Sequence, residues 1–229
     1  MLFWCLPGLA VHHPAYETLQ KYATRGCPVK TGQNWTKDYI HAAVIRGPHE
    51  SALAEEAIAH FAAEAKEKVA SNQARLVCYE KIKGNFPTKM KVSPTAEIPH
   101  KSKSFRSILD LSFSLKLTPP GRVPPVNENS EKTAPGSAID QIGHSLMRLI
   151  HSFAEAPDCA NIFQAKWDIK NGFWRLYCKE GEEWNFCYVL PQKPGMPKNM
   201  VVPTSLQMGW IEYPPYFCTV SETVRYVAE

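Results

Sequence analysis

The chain has 229 residues and a formal charge of +4, long enough to bury one large core or two small ones and too weakly basic for charge alone to announce nucleic acid. Its seven cysteines, at 5, 27, 78, 159, 178, 187 and 218, make no Cys-x-x-Cys and no paired spacing with histidine; this argues against a structural zinc site, and the odd count suits a reducing, intracellular compartment, cytoplasmic or nuclear, rather than secretion. The apolar opening Met1 to Val11 lacks a basic flank and is too short to span a bilayer, so no membrane partner is expected and the segment reads as core or as a start inside a longer frame.

In chain order, Thr36 to Arg46 is expected as a helix closed by Gly47-Pro48. Ser51 is placed to cap a second helix running to about Asn72. Leu53, Ala57, Ile58, Phe61, Ala65 and Val69 share one face of it, with Glu55 and Glu56 early and Lys66 and Lys68 late, as the helix dipole favours. Both read as packing helices, with a grip on template as the alternative. Between Glu80 and Arg106 stand Lys81, Lys83, Lys89, Lys91, Lys101, Lys103 and Arg106 against Glu80 and Glu97. That local excess suits phosphates and salt-sensitive binding; a solvated lysine-rich loop is the alternative.

Prolines, glycines and polar residues dominate Leu117 to Gly136, an expected loop or extended connection. Ala138 to Ala156 returns to helix, with Ile139, Ile142, Leu146, Leu149, Ile150 and Phe153 on the side expected to cover the sheet that follows. Ile162 to Trp167 reads as a buried strand ending on Asp168, and Phe173 to Cys178 and Trp184 to Val189 as two more around Glu180-Gly181-Glu182. An acid ending a core strand needs a cation, a helix end or open solvent, because an unpaired buried charge costs several kcal/mol. After a break at Pro191 to Pro197, a final helix is expected near Tyr216 to Val227.

Three ordered segments then resemble one family. Ile98 to Leu111 (Ile-Pro-His-Lys-Ser-Lys-Ser-Phe-Arg-Ser-Ile-Leu-Asp-Leu) is similar to the fingers strand of reverse transcriptases, where lysines precede an aromatic-Arg pair and an Asp falls four residues after the Arg; Arg106 and Asp110 keep that interval. Asp168, with Phe173 five residues on, resembles the strand carrying the first catalytic Asp and the aromatic that screens the sugar. Val202 to Phe217 resembles the palm segment in which Gly209, Pro214 and Phe217 keep the family's intervals. The wider wording is most similar to polymerases of retrotransposon-type elements and covers about Val92 to Glu229. The resemblance implies an α+β fold, a partial right-hand polymerase (fingers and first half of the palm) over 92–229, behind a mainly helical N-terminal extension, 1–91.

What the resemblance implies for chemistry is template-directed nucleotidyl transfer, with RNA/DNA template-primer and deoxynucleoside triphosphates as partners and Mg2+ as cofactor. Asp168 would be catalytic and, with the backbone carbonyl of Ile169, would hold magnesium; a capping or surface Asp is the alternative. Phe173 would stack under the sugar, or else serve the core. Arg106 would hold the triphosphate through its planar fork, with Lys103 and Lys101 as point charges and Asp110 in the same strand; a surface salt bridge from Arg106 to Asp110 or another acid is the rival. Gly209 would let backbone approach nucleotide or template, against a plain turn glycine, and Gln207 and Met208 would add binding surface.

The sequence also departs from the family. It contains no Asp-Asp pair, so the second metal-binding hairpin is absent, and Tyr213 stands where the pattern has a small residue. One carboxylate carries too little charge for two magnesium ions. The expectation is a truncated polymerase fragment, inactive alone and binding magnesium weakly. The alternative is a non-catalytic nucleic-acid-binding or interaction protein derived from such a polymerase. No Ser, His and Asp arrangement or Gly-rich phosphate loop supports a small-molecule hydrolase.

Overall fold

A computed structural model describes residues 16–99, 105–117, 121–134, 145–163 and 172–228, with side chains for all of these but 145–146, 173 and 222–228. Its first helix, α1 (Tyr16–Arg25), was not anticipated from the sequence; it buries Leu19 and lays Tyr22 on the core. It ends at Gly26, whose φ is +76° and where a Cβ would lie 2.4 Å from the Cys178 carbonyl oxygen. Only glycine permits that approach, and it lets Cys27 run beside Cys178 as an isolated parallel bridge.

Helix α2 (Lys37–Arg46) forms as the sequence predicts: the Thr36 hydroxyl accepts from the Tyr39 N–H at 3.2 Å, and Gly47, at φ 67°, donates to the Ala43 carbonyl. The next helix starts later than expected. A short 3-10 turn, Glu50–Ala52, precedes α3 (Glu55–Ala70), and Ala54 holds the N-cap position without a side-chain bond. Ser51 is spent elsewhere, its hydroxyl accepting the Glu97 N–H at 3.2 Å. Ala57, Phe61 and Ala65 are buried as predicted, but Leu53 and Val69 are exposed, and Lys68 is buried instead with its ammonium 4.7 Å from the Trp174 ring centroid.

The strands are β1 (Ala74–Cys78), β2 (Thr95–Pro99), β3 (Phe105–Leu109), β4 (Leu115–Leu117), β5 (Gly121–Val123), β6 (Tyr188–Val189) and β7 (Asn199–Pro203), with α4 (Tyr79–Ile82), α5 (Ser145–Ala154) and α6 (Tyr213–Ala228) completing the helices of the described residues. Among the described residues these make three small antiparallel sheets: β1-β7-β6, β2-β3 and β4-β5. In the central strand β7, Val201 packs with Ala65, Ala74 and Tyr188, while Met200 and Val202 face Ile40, Val44, Met90 and Val92. A strand buried on both faces explains the unbroken apolar run Met200-Val201-Val202. A further core gathers Val29, Leu111, Val126, Leu176, Phe186, Leu206, Trp210, Tyr213 and Tyr216. The fold is mixed α and β, and β1, from the first ninety residues, is hydrogen-bonded along its length to β7.

Several expected elements differ. Of the strand over Phe173 to Cys178, only Tyr177 and Cys178 form bridges, after a 3-10 turn at Gly172–Trp174. Of Trp184 to Val189, Glu183–Phe186 is a 3-10 turn and Tyr188–Val189 alone is strand. Polar demand decides this: Glu182 and Glu183 are buried, Glu182 accepts from the Val29 N–H and the Lys89 ammonium, Glu183 pairs with Arg75, and the Asn185 amide closes on the Glu182 carbonyl. An alternating strand would separate these groups onto opposite faces. Ile162 and Phe163 form no strand and are exposed, Phe163 at 91%; Gln164 to Asn171 lie outside the described residues. Of the expected helix over 138–156, 138–144 lie outside the described residues; α5 covers Ser145–Ala154, with Leu149, Ile150 and Phe153 exposed rather than covering a sheet. Helix α6 starts at Tyr213, three residues early, since Pro214 and Pro215 are tolerated in a first turn. Among the described residues no helix is long and apolar enough to cross a membrane.

Candidate functional site

The antiparallel register of β2 and β3 sets Arg106 opposite Ile98, and both are exposed. From there the Arg106 guanidinium donates to Met208 Sδ at 2.9 Å. Two of the three sequence motifs, more than a hundred residues apart, therefore meet. Sulfur is a weak acceptor, and among the described residues it is the guanidinium's hydrogen-bond partner. The rival salt bridge from Arg106 to Asp110 does not form, because four residues along an extended strand is about 13 Å, and among the described residues Arg106 pairs with no other acid.

The turn carrying Met208 is held from below. Gly209 has φ +95°, and a Cβ there would sit 3.4 Å from the Leu109 carbonyl oxygen of β3. The Asn127 amide donates to the Gly209 carbonyl at 2.8 Å and accepts the Ile211 N–H at 3.0 Å. Trp210 is buried, its indole N–H donating to the Ser130 hydroxyl at 2.9 Å. Gln207, expected to add binding surface, is instead buried, its amide donating to the Ser205 carbonyl at 2.8 Å; it shapes the turn from inside. Tyr213 is likewise core, where burial pushes its hydroxyl pKa up.

Asp110 faces the N-terminal helices. Its Oδ2 accepts from His49 Nε2 at 3.2 Å and its Oδ1 from the Ser112 N–H at 3.1 Å. His49 Nδ1 is 2.8 Å from an Arg46 guanidinium nitrogen, and Arg46 lies 4.5 Å over the Phe113 ring. Burial lowers the Arg46 pKa, with Asp110 and Glu50 pulling the other way. On the other strand Glu97 is buried, with His60 Nδ1 2.8 Å from Oε1 and the Ser107 hydroxyl donating to Oε2 at 3.3 Å. Burial raises the Glu97 pKa, opposed by His60 and Ser107.

Asp168, Ile169, Lys101 and Lys103 lie outside the described residues, and of Phe173 only the backbone is described. The magnesium expectation rests on the first two. Among the described residues no group of three or more His, Cys, Asp or Glu side chains is arranged to hold a metal ion. Sequence reasoning missed Arg46, His49, His60 and Asn127. Asn127 sits in the proline-rich stretch read as loop, and a lone histidine after Gly47-Pro48 carries no periodic signal. No family model and no curated protein matches the chain.

Proposed function

We propose that this chain carries the fingers and first half of the palm of a retroelement reverse transcriptase and that its own contribution is to grip an RNA/DNA hybrid. The observation that supports the reading is the Arg106 to Met208 contact, which joins the fingers-like and palm-like segments at an exposed basic group. The left-handed Gly209 against Leu109 adds to it, since close backbone approach is what that position serves in the resemblance. Magnesium and deoxynucleoside triphosphates belong to the family's chemistry through Asp168. The 229 residues carry no Asp-Asp pair, so nucleotidyl transfer would need carboxylates from elsewhere.

Hybrid binding tests the reading. Arg106→Ala is expected to weaken binding of a labelled RNA/DNA duplex about tenfold at low salt and to reduce the slope of log affinity against log salt by about one unit. Unchanged affinity when Arg106, Lys101 and Lys103 are all alanine overturns it. Tyr213, which stands where the family pattern has a small residue, favours one second reading, a non-catalytic nucleic-acid-binding protein in which Asp168 is dispensable. Asp168→Asn with unchanged function selects that reading, while loss of a magnesium-dependent activity excludes it.

A further inference from the structure

We infer that Arg46 and His49, at the end of α2 and just beyond it, are positioning residues that set the phosphate-gripping pose of Arg106 through Asp110; this rests on the reading of Arg106 as a phosphate grip. Asp110 is where β3 leaves the hairpin. Its backbone N–H donates to the Pro94 carbonyl at 2.9 Å, and the His49 N–H donates to the Thr95 carbonyl at 2.8 Å. Thr95 pairs with Leu109 across the hairpin, so His49 touches the base of both strands.

The side chains form a directional relay. A guanidinium has no acceptor, so Arg46 can only donate to His49 Nδ1, and the Asp110 carboxylate only accepts. A neutral imidazole meets both contacts in one tautomer, with its proton on Nε2. Arg46 is itself fixed, by the Phe113 ring beneath it and by a 2.8 Å bond to the Gly47 carbonyl. Leu109, next to Asp110, is the residue whose carbonyl backs Gly209. A displacement at 109–110 therefore moves Arg106 on one side and the Met208 turn on the other. The extension before β1 thereby gains a role that packing alone does not supply.

The test compares hybrid affinities of the whole chain carrying Arg106→Ala, His49→Leu, His49→Gln, and Arg106→Ala with His49→Leu, each checked for unchanged thermal unfolding. His49→Leu is expected to weaken binding about fivefold, the scale of one net hydrogen bond. His49→Gln, which keeps a donor and an acceptor, restores binding to within about twofold of the parent. The double variant binds no worse than Arg106→Ala alone, because His49 acts through Arg106. Imidazole nitrogen NMR shows the Nε2–H tautomer at His49, and Arg46→Met lets it redistribute. Wild-type binding by His49→Leu, or additive losses in the double variant, overturns the inference while Arg106→Ala still weakens binding. An Arg106→Ala chain that binds normally overturns the grip itself.

Discussion

The sheet β1-β7-β6 and the hairpin β2-β3 are both antiparallel, yet they are held by opposite means. The sheet is fixed by burial on both faces, with Met200, Val201 and Val202 removed from solvent. The hairpin keeps an exposed Arg106 and Ile98 on one face and is tied at its base by His49 to Asp110 and at its middle by His60 to Glu97 and Ser51 to the Glu97 N–H. Burial is non-directional and tolerates small shifts, whereas hydrogen bonds and ion pairs specify a pose. Under the grip proposed for Arg106, the second kind of attachment is the one that would hold a cation in a set pose.

The strongest way to break that contrast is Met200→Ala, which opens a cavity between two buried faces. It is expected to cost about 2–5 kcal/mol, read from denaturant midpoints, and a loss below about 1 kcal/mol would show that the sheet is not held by packing. Lys91 sharpens it as the polar exception within the buried region. Its ammonium donates to the Thr31 carbonyl at 2.5 Å, and burial lowers its pKa from 10.5 to about 8. Between those values the unfolded chain holds the proton and the folded chain does not, so this group makes stability rise with pH. Relative to Lys91→Met, the parent is expected to gain roughly 2–3 kcal/mol between pH 7 and pH 10 in chemical unfolding. A flat difference would mean the lysine is solvated. The smallest global effect belongs to His60→Leu, which leaves the buried Glu97 carboxyl with the Ser107 hydroxyl as its side-chain partner and is expected to lower stability by about 1–2 kcal/mol. Its mark is local: faster amide hydrogen exchange in β2 and β3 with β7 unchanged.

How far the sequence foretold this arrangement follows the range of the forces involved. Helix α2 was legible because its signals are local, a Thr36 cap and a Gly47-Pro48 stop. The strand around Arg106 was expected through the family resemblance rather than from local signals, and Gly209 proved to be in the left-handed conformation that its glycine permits. Ser51 misled because its hydroxyl answers a strand 46 residues away rather than its own helix. The stretch around Glu182 and Glu183 misled because an alternating apolar pattern conceals two carboxylates whose partners, Lys89 and Arg75, lie far off in sequence. Strand β1 gave no signal, since its pattern has one fully buried residue, Ala74. Among the site residues, Arg106, Met208 and Gly209 meet at one place, with Asp110 at the base of the same hairpin, whereas the histidines that hold that hairpin announce themselves only through tertiary contact.

Strand pairing also sets an order of assembly during synthesis. The hairpin joins Thr95 to Leu109 and can close as soon as its own residues leave the ribosome. Strand β1 has no partner until β7 arrives, with Cys78 matched to Asn199 some 120 residues later. At about 5–20 residues per second that is a wait of roughly 6–24 s. Through that interval the nascent chain carries an unpaired strand and the apolar faces of α2 and α3 that β7 will cover. Chaperone dependence during translation, greater than the finished fold would require, is the consequence of placing the central strand last.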